Sequence, residues 1–412
     1  MATRILPHEG DAIGLNHSYV ERTVKFLLWQ RGGYKLSVAG NPAMAAALRT
    51  VYSHAGARAF DFEFMGSTVY GHEFQVEAVP LGGEPGAAET TLSLGRHLDG
   101  CRIGFDLGGS DRKCAAVIDG EVVHSEEVTW DPYFEKNPQY HYDGIMDSLR
   151  RAAEKLPRVD AIGGSSAGVY VGNEVRVASL FRGVSREDFD ARVRRMFFDV
   201  KKEWGGVPFE VANDGEVTAL AGSMALGDGA VLGVSMGTSQ AGGYVTPEGT
   251  ITNWLNELAF APIDYAARAH VDEWSRDGGV GAQYFSQQAV GRLAAPAGID
   301  LPAEMPLPEK LVAVQVLMAK GDSRALAIYN TIGVYFGYAI AHYADFYEIR
   351  HLLLLGRVLS GRGGDRIIEV AQQVLTDEFP ELAEKVKVHT PSEAEKRHGQ
   401  AVAAASLPAL TA

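Results

Sequence analysis

The 412-residue chain carries 38 Lys+Arg against 52 Asp+Glu, a net charge of −14, with 46% hydrophobic and 22% charged residues. That length exceeds one ordinary core and implies two or three domains of a soluble globular protein. The acidic balance argues against wrapping nucleic acid, whose affinity comes largely from cationic contacts to phosphate, and no stretch approaches the roughly 20 apolar residues that span a bilayer.

In chain order, MATRILPHEGDAIGL lacks the apolar run of a signal peptide. Ser18 to Gln30 places apolar residues at helical spacing and stops at Arg31-Gly32-Gly33. Tyr34 to Ala39 reads as a strand and Pro42 to His54 as a second helix. Phe60 to Phe64 and Phe74 to Val79 read as the strands of a hairpin, separated by Gly66 and Gly71. Leu81 to Thr91, rich in Gly, Ala and Glu, reads as a linker, so residues 1–100 form a small α+β appendage. It holds more Asp and Glu than Lys and Arg, which weighs against a winged-helix DNA-binding module. The densest basic segment, Arg192 to Lys202, also contains Asp199 and reads as the solvated face of a helix.

At Cys101 the texture changes. Cys101 to Asp106 is a short apolar strand, Leu107-Gly108-Gly109-Ser110 a turn, and Cys114 to Ile118 a second strand. Asp119-Gly120 is a two-residue hairpin signal leading into a third strand, Glu121 to Val128. A helix, Asp143 to Leu156, and a buried strand, Ala161 to Ser166, follow, and this alternation implies an α/β architecture. Cys101 and Cys114 provide neither a disulfide framework nor a CxxC pair for zinc, so a reducing, cytoplasmic setting is expected.

Four segments carry the chemistry. Ile103 to Ser110, with Lys113 close behind, puts two glycines in a hairpin turn whose backbone N–H groups can approach a phosphate. Asp106 at the strand end can hold a hydrated Mg²⁺. On its own the pattern fits a simple hairpin equally well. Phe209 to Gly222 is a strand running into a small-residue helix opened by Asn213-Asp214. Either residue could merely cap that helix. Alternatively, Asp214 is a base that takes the proton from a substrate hydroxyl attacking the γ-phosphate of ATP. Gly233 to Gly243 is a second strand–turn–strand, with Gly237, Thr238, Ser239 and Gly242 at its turn. His351 to Leu355 is a leucine strand closing at Gly356-Arg357, where an adenosine could lie against backbone.

In this order the segments resemble those of the sugar-kinase, heat-shock 70 and actin superfamily, and within it the ROK family (repressors, open reading frames and kinases). VANDGEVTALAG is similar to that family's VANDANAAALGE-like catalytic segment and LLLLGRVLSGRGGDRI to its VLGGG segment. Gly321-Asp322 before a long helix and the final GQAVAAASLPAL add to the likeness, which covers roughly residues 101–412. The resemblance implies a two-lobed actin-like (ribonuclease H-like) ATPase fold, with lobes at 101–212 plus 392–412 and at 213–391. It implies ATP and Mg²⁺ clamped between the two hairpins, with hinges near Asn213 and His389 to Glu395. Asp214 matches the family's catalytic base and Asn213 a substrate contact. Asp106, Gly108 and Gly109, with Ser110 and Lys113, match the first phosphate loop, Asp106 reaching Mg²⁺ through water. Gly237, Thr238, Ser239 and Gly242 match the second loop, and Gly356 and Arg357 the approach to adenosine.

The pattern breaks in the acceptor pocket. The family's E-x-G-H reads Glu257-Leu258-Ala259-Phe260, and its cysteine-rich zinc loop is replaced by Asp277 to Ser286 without a cysteine, so no structural zinc is expected. Its second sugar-facing Glu falls at Tyr284 and its sugar-contacting Asn near Ser179. Glu257 is a substrate contact or a capping residue, and Asn253, Trp254 and Asn256 are lesser candidates. The resemblance, to a family that is commonly dimeric, implies an ATP-dependent kinase acting on a hydroxyl of a small sugar or polyol, without nucleic-acid or membrane partners. The competing readings are a ligand-sensing transcriptional regulator of the same family and a conformational ATPase.

Overall fold

The computed structural model describes residues 1–86, 94–390 and 393–410, the side chains of 393–398 excepted. Residues 87–91 of the expected linker and 391–392 of the expected second hinge lie outside the described residues.

Helix α1 (Ala12–Arg31) ends where the sequence predicts, because Gly32 takes φ 80° and returns its N–H to the Leu28 carbonyl. Strand β1 (Lys35–Ala39) leads into α2 (Pro42–Val51), which opens on the Asn41 cap with proline in its first turn. The hairpin expected next is not formed. Phe60 to Phe64 is helical, α3 (Ala59–Glu63) continuing as a π-helical turn over Phe64–Tyr70. The Phe-x-Phe-x-Phe alternation also satisfies a four-residue spacing, so Phe60 and Phe64 stack 5.6 Å apart and both lie against Trp29. With this helical crossover, β2 (Gln75–Val79) pairs with β1 in parallel, Lys35 opposite Gln75.

The glycine turns give the expected antiparallel meander of β3 (Cys101–Leu107), β4 (Asp111–Ile118) and β5 (Glu121–Thr129). Helix α4 (Pro138–Ala153) then carries the chain to β6 (Ala161–Ser166), which is parallel to β3. A ribbon of β7 (Val169–Val171) and β8 (Glu174–Val177), the one-turn α5 (Arg186–Asp188) and α6 (Met196–Glu203) precede β9 (Phe209–Asn213). The first sheet runs β5-β4-β3-β6-β9 over a core that includes Ile103, Phe105, Phe197 and Phe209.

Helix α7 (Asp214–Leu226) follows β9 with no intervening loop and leads to the hairpin β10 (Val231–Met236) and β11 (Gln240–Val245). Helices α8 (Gln287–Ala294), α9 (Leu307–Ala319) and α10 (Ser323–Ala344) come next. They are followed by β12 (His351–Leu355), α11 (Gly361–Glu378), α12 (Pro380–Lys385) and β13 (Lys387–His389). The second sheet runs β11-β10-β12-β13, and the leucine run of β12 is buried because this central strand is parallel to both neighbours. Helix α13 (Glu393–Ala405) returns to the first sheet, backbone against backbone. A Cβ on Gly104 would stand 1.8 Å from the Ala401 carbonyl oxygen and one on Gly163 1.7 Å from that of Ala404. The result is a two-lobed, actin-like α/β fold.

The N-terminal segment shares one hydrophobic core with the lobe of the second sheet. Phe26 stacks on Phe346 at 3.8 Å, and the Gln30 side chain donates to the Phe346 carbonyl. Between them lies a buried ionic cluster. Lys25, fully buried, reaches Asp61 at 2.7 Å and Asp277 at 3.1 Å. Arg22 and Arg58 also contact Asp277, at 3.0 and 2.8 Å, and both engage Glu21 at 2.6 Å. Asp277 belongs to the stretch that lacks the cysteines, so α1 and α3 hold this loop through charge. Among the described residues no helix is long and apolar enough to cross a membrane.

Candidate active site

Three adjacent strands place Asp106. It sits at the end of β3, opposite Lys113 of β4 on one side and Ser165 of β6 on the other. The Ser165 hydroxyl donates to its carboxylate at 2.7 Å, and the Lys113 ammonium lies 3.7 Å away while pairing with Asp111 at 3.0 Å. Burial raises the Asp106 pKa above the usual carboxylate range. The turn beyond it is built tightly. Gly108 donates to the Asp111 carbonyl and accepts from the Trp130 indole, and a Cβ on Gly109 would meet the Tyr133 hydroxyl at 2.1 Å. The Ser110 hydroxyl donates to Asp111.

Of the two residues that could cap α7, Asn213 does so. Asn213 is the cap, its carboxamide oxygen accepting from Gly215 N–H at 2.8 Å while its NH₂ donates to the Gly168 carbonyl. The Asp214 carboxylate accepts a 3.0 Å bond from Gly215 N–H and is bonded by its own backbone N–H, with no side-chain partner among the described residues. Burial first, and the charge of Asp106 second, push its carboxyl up to about 6. Glycine at 215 is demanded by contact, since a Cβ there would lie 2.5 Å from the Gly242 carbonyl oxygen, and one on Gly243 2.1 Å from that of Gly215. The helix bearing Asp214 is thereby pressed onto the second hairpin. At that hairpin's turn Gly237 N–H donates to Ser239, and Gly237 in turn accepts from the N–H of Gln287 at the start of α8.

A cavity of about 1160 Å³ opens here. Its wall contains Asn213, Asp214, Thr238, Ser239 and Glu257, together with Ser179, Phe260 and Phe64 of the π-helical turn. Glu257 is held through its backbone N–H, which donates to the Trp29 carbonyl. Its carboxylate has no hydrogen-bond partner among the described residues, and burial followed by the charge of Asp214 lifts it to about 7.

Several expected residues are placed elsewhere. Asn256 is not a substrate contact: it is fully buried, donating to the Glu216 carboxylate and accepting from the Tyr347 hydroxyl, so it ties the Glu257 loop to α7. Gly356 and Arg357 do not line this cavity, and neither do Asp106, Gly108, Gly109, Ser110, Lys113, Gly237 and Gly242, although Gly242 borders a smaller pocket that also meets Asp214. Gly356 instead lets β12 approach β10, as a Cβ there would stand 2.4 Å from the Met236 carbonyl oxygen, and Arg357 is exposed. The wall beside the second hairpin comes from α8 and α9, through Gly291, Arg292, Leu307 and Lys310 with Met305 before them. None of these carried a sequence signal, and neither did Trp274 of the divergent loop. Tyr284 is buried, its hydroxyl bonded to Asp264 and its ring 5.2 Å from the Arg292 guanidinium, so it braces the loop. Gln400 on α13 is a further unpredicted member, donating to Ser165 and to the Asp214 carbonyl.

No protein-family model matches the chain, and no relative among curated proteins is found from its sequence. Its structure is similar to a ROK hexokinase from Thermus thermophilus, with TM-score 0.57 and 16% identity over 74% of this chain and 96% of that one. It is similar to a ROK family glucokinase from Streptomyces griseus in complex with glucose and AMPPNP, with TM-score 0.53 and 19% identity over 74% and 98%. A ROK family transcriptional regulator homologous to the E. coli MLC protein matches with TM-score 0.54 and 18% identity over 74% and 78%. The chain has the two-lobed fold of these proteins.

Proposed function

We propose that the chain is a divergent ROK-family kinase that transfers the γ-phosphate of ATP to a hydroxyl of a small sugar or polyol, with Asp214 as general base. The observation that carries this reading is the Asp214 carboxylate. It lies in the cavity wall, is almost free of protein partners, and is pushed up by burial to about 6, toward the range where a general base combines availability with proton affinity.

The acceptor hydroxyl gives its proton to Asp214 as its oxygen attacks the γ-phosphate, and the β–γ bridging oxygen leaves with ADP. Asn213 fixes the start of α7, and the Gly215–Gly242 contact keeps the base in register with the second hairpin. The hairpin's exposed Thr238 and Ser239 are available to phosphate oxygens. Asp106, with one oxygen bonded to Ser165 and the other facing Lys113, suits a hydrated Mg²⁺, a hard cation content with one or two carboxylates. When bound, Mg²⁺ supplies charge neutralisation on the phosphates.

The shared fold also carries a transcriptional regulator. The kinase is favoured because residues 12–79 are built into the core of one lobe, and because the base is retained. Mg²⁺-dependent ADP release that requires an acceptor tests the proposal. Asp214→Asn is expected to lower kcat by about 10²–10⁴-fold. Full turnover in that variant would remove Asp214 from the role.

A further inference from the structure

We propose that the acceptor subsite is built for a protonated amine, so that the molecule phosphorylated is an amino sugar or aminocyclitol. This rests on the kinase reading of the cavity and names its acceptor.

Three aromatic side chains from three separate segments, Phe64, Phe260 and Trp274, line the cavity together. They are held as a group, with Phe260 and Trp274 edge to face at 5.4 Å and Trp29 behind Phe260 at 4.7 Å. Phe60 lies 5.8 Å from Trp274. Ring faces with this negative quadrupole attract a cation. The same stretch of wall presents carboxylates without a compensating cation. Glu257 has no hydrogen-bond partner among the described residues, and its charge and that of Asp214 oppose one another. Glu273 lines the rim beside Trp274. The cationic side chains of the wall, Arg292 and Lys310, belong to α8 and α9 and are otherwise engaged. Arg292 lies over Tyr284 and donates to the Gln283 carbonyl, and Lys310 donates to the Ala303 carbonyl.

Two half-buried carboxylates in one wall, the charge of Asp214 opposing ionisation of Glu257, store a repulsion that a neutral hydroxyl leaves in place. An ammonium group relieves it, donates to Glu257, and meets an aromatic face. The N-terminal segment is part of the device, because Phe64 lines the subsite while Trp29 and Phe60 support it.

The test pairs each hexose or cyclitol with its amino and N-acetylamino counterparts near pH 7, where the amine is largely protonated. ATP-coupled turnover and calorimetric binding without nucleotide are both measured. The amino compound of at least one pair is expected to show kcat/KM and affinity about tenfold above its neutral partners. Trp274 is 63% exposed, so its replacement is not expected to disturb folding. Trp274→Leu should weaken amine binding about 3- to 30-fold and reduce the preference over the neutral parent, and Trp274→Phe should retain the preference. Equal or better turnover of neutral or N-acetylated acceptors overturns the inference and leaves the kinase standing. Amine binding with no transfer to any acceptor leaves the subsite standing and removes the kinase. Absence of amine binding in the folded protein overturns the inference outright.

Discussion

Replacing Lys25 with methionine tests how the N-terminal segment is bound to the rest of the molecule. The Lys25 ammonium is inaccessible to solvent, within 2.7 Å of both Asp61 oxygens and 3.1 Å of Asp277. Methionine keeps the apolar stem and removes the charge. Asp277 retains Arg22 and Arg58, but among the described residues Asp61 is left with only the Trp29 indole N–H at 2.6 Å. Removing one partner of a buried ion pair costs about 3–5 kcal/mol. At about 2–4 °C per kcal/mol for a lobe of ordinary domain size, the transition that reports this lobe should fall by about 6–20 °C at pH 7. Burial already raises the Asp61 carboxyl above its ordinary value, and losing Lys25 raises it further. An acid whose folded pKa is raised contributes stability that is present at low pH and lost as pH rises through that value, so the variant's deficit should shrink between pH 7 and pH 5. The double variant Lys25→Met/Asp61→Leu removes both charges and should recover most of the loss. Thermal and urea unfolding followed by tryptophan fluorescence would report it through Trp29. A pH-independent deficit below about 1 kcal/mol, or a double variant worse than the single, would refute the argument.

Further outcomes concern the site. With Asp214 lifted to about 6, kcat/KM should rise about tenfold per pH unit below that value and level off above pH 7, where the base is ionised. Glu257, lifted to about 7 beside it, titrates with it as a pair, so the limb should be broadened. A flat profile between pH 5 and pH 7 would exclude this base. Gly215→Ala forces a Cβ to within 2.5 Å of the Gly242 carbonyl oxygen and should cut kcat about 10²-fold by displacing the base from the hairpin. Circular dichroism should show the variant folded, and wild-type turnover in it would show that this contact does not set the geometry.

The strand–turn–strand signals at Cys101 to Val128 and the Asn213-Asp214 helix opening were readable because each rests on local chemistry. Glycine, Asp-Gly and an amide cap specify geometry within a few residues. Phe60 to Phe64 was misread because alternation and four-residue spacing coincide in five residues, and only the presence of Trp29 decides between them. The role of α1 was hidden for a different reason. It buries Glu21, Arg22, Lys25 and Gln30, side chains that a sequence pattern assigns to solvent, and the partners that make this tolerable, Arg58, Asp61, Asp277 and the Phe346 carbonyl, are distant in sequence. Gly356 did signal a close approach, and the backbone it meets in the structure is that of Met236. The α8–α9 wall could not be read at all, because ordinary helices become a cavity wall only through where the hairpin places them.

The seating of α13 on Gly104 and Gly163 bears on how the protein is made. On the ribosome, β3 and β6, which end at Leu107 and Ser166, emerge long before the helix whose backbone covers them, which begins at Glu393. During that interval the first sheet has an uncovered glycine face, and α1 awaits Asp277 and Phe346. Pairings this distant in sequence slow folding and prolong exposure to aggregation. Emergence of α13, more than growth of any one lobe, is therefore the step at which chaperone dependence should concentrate.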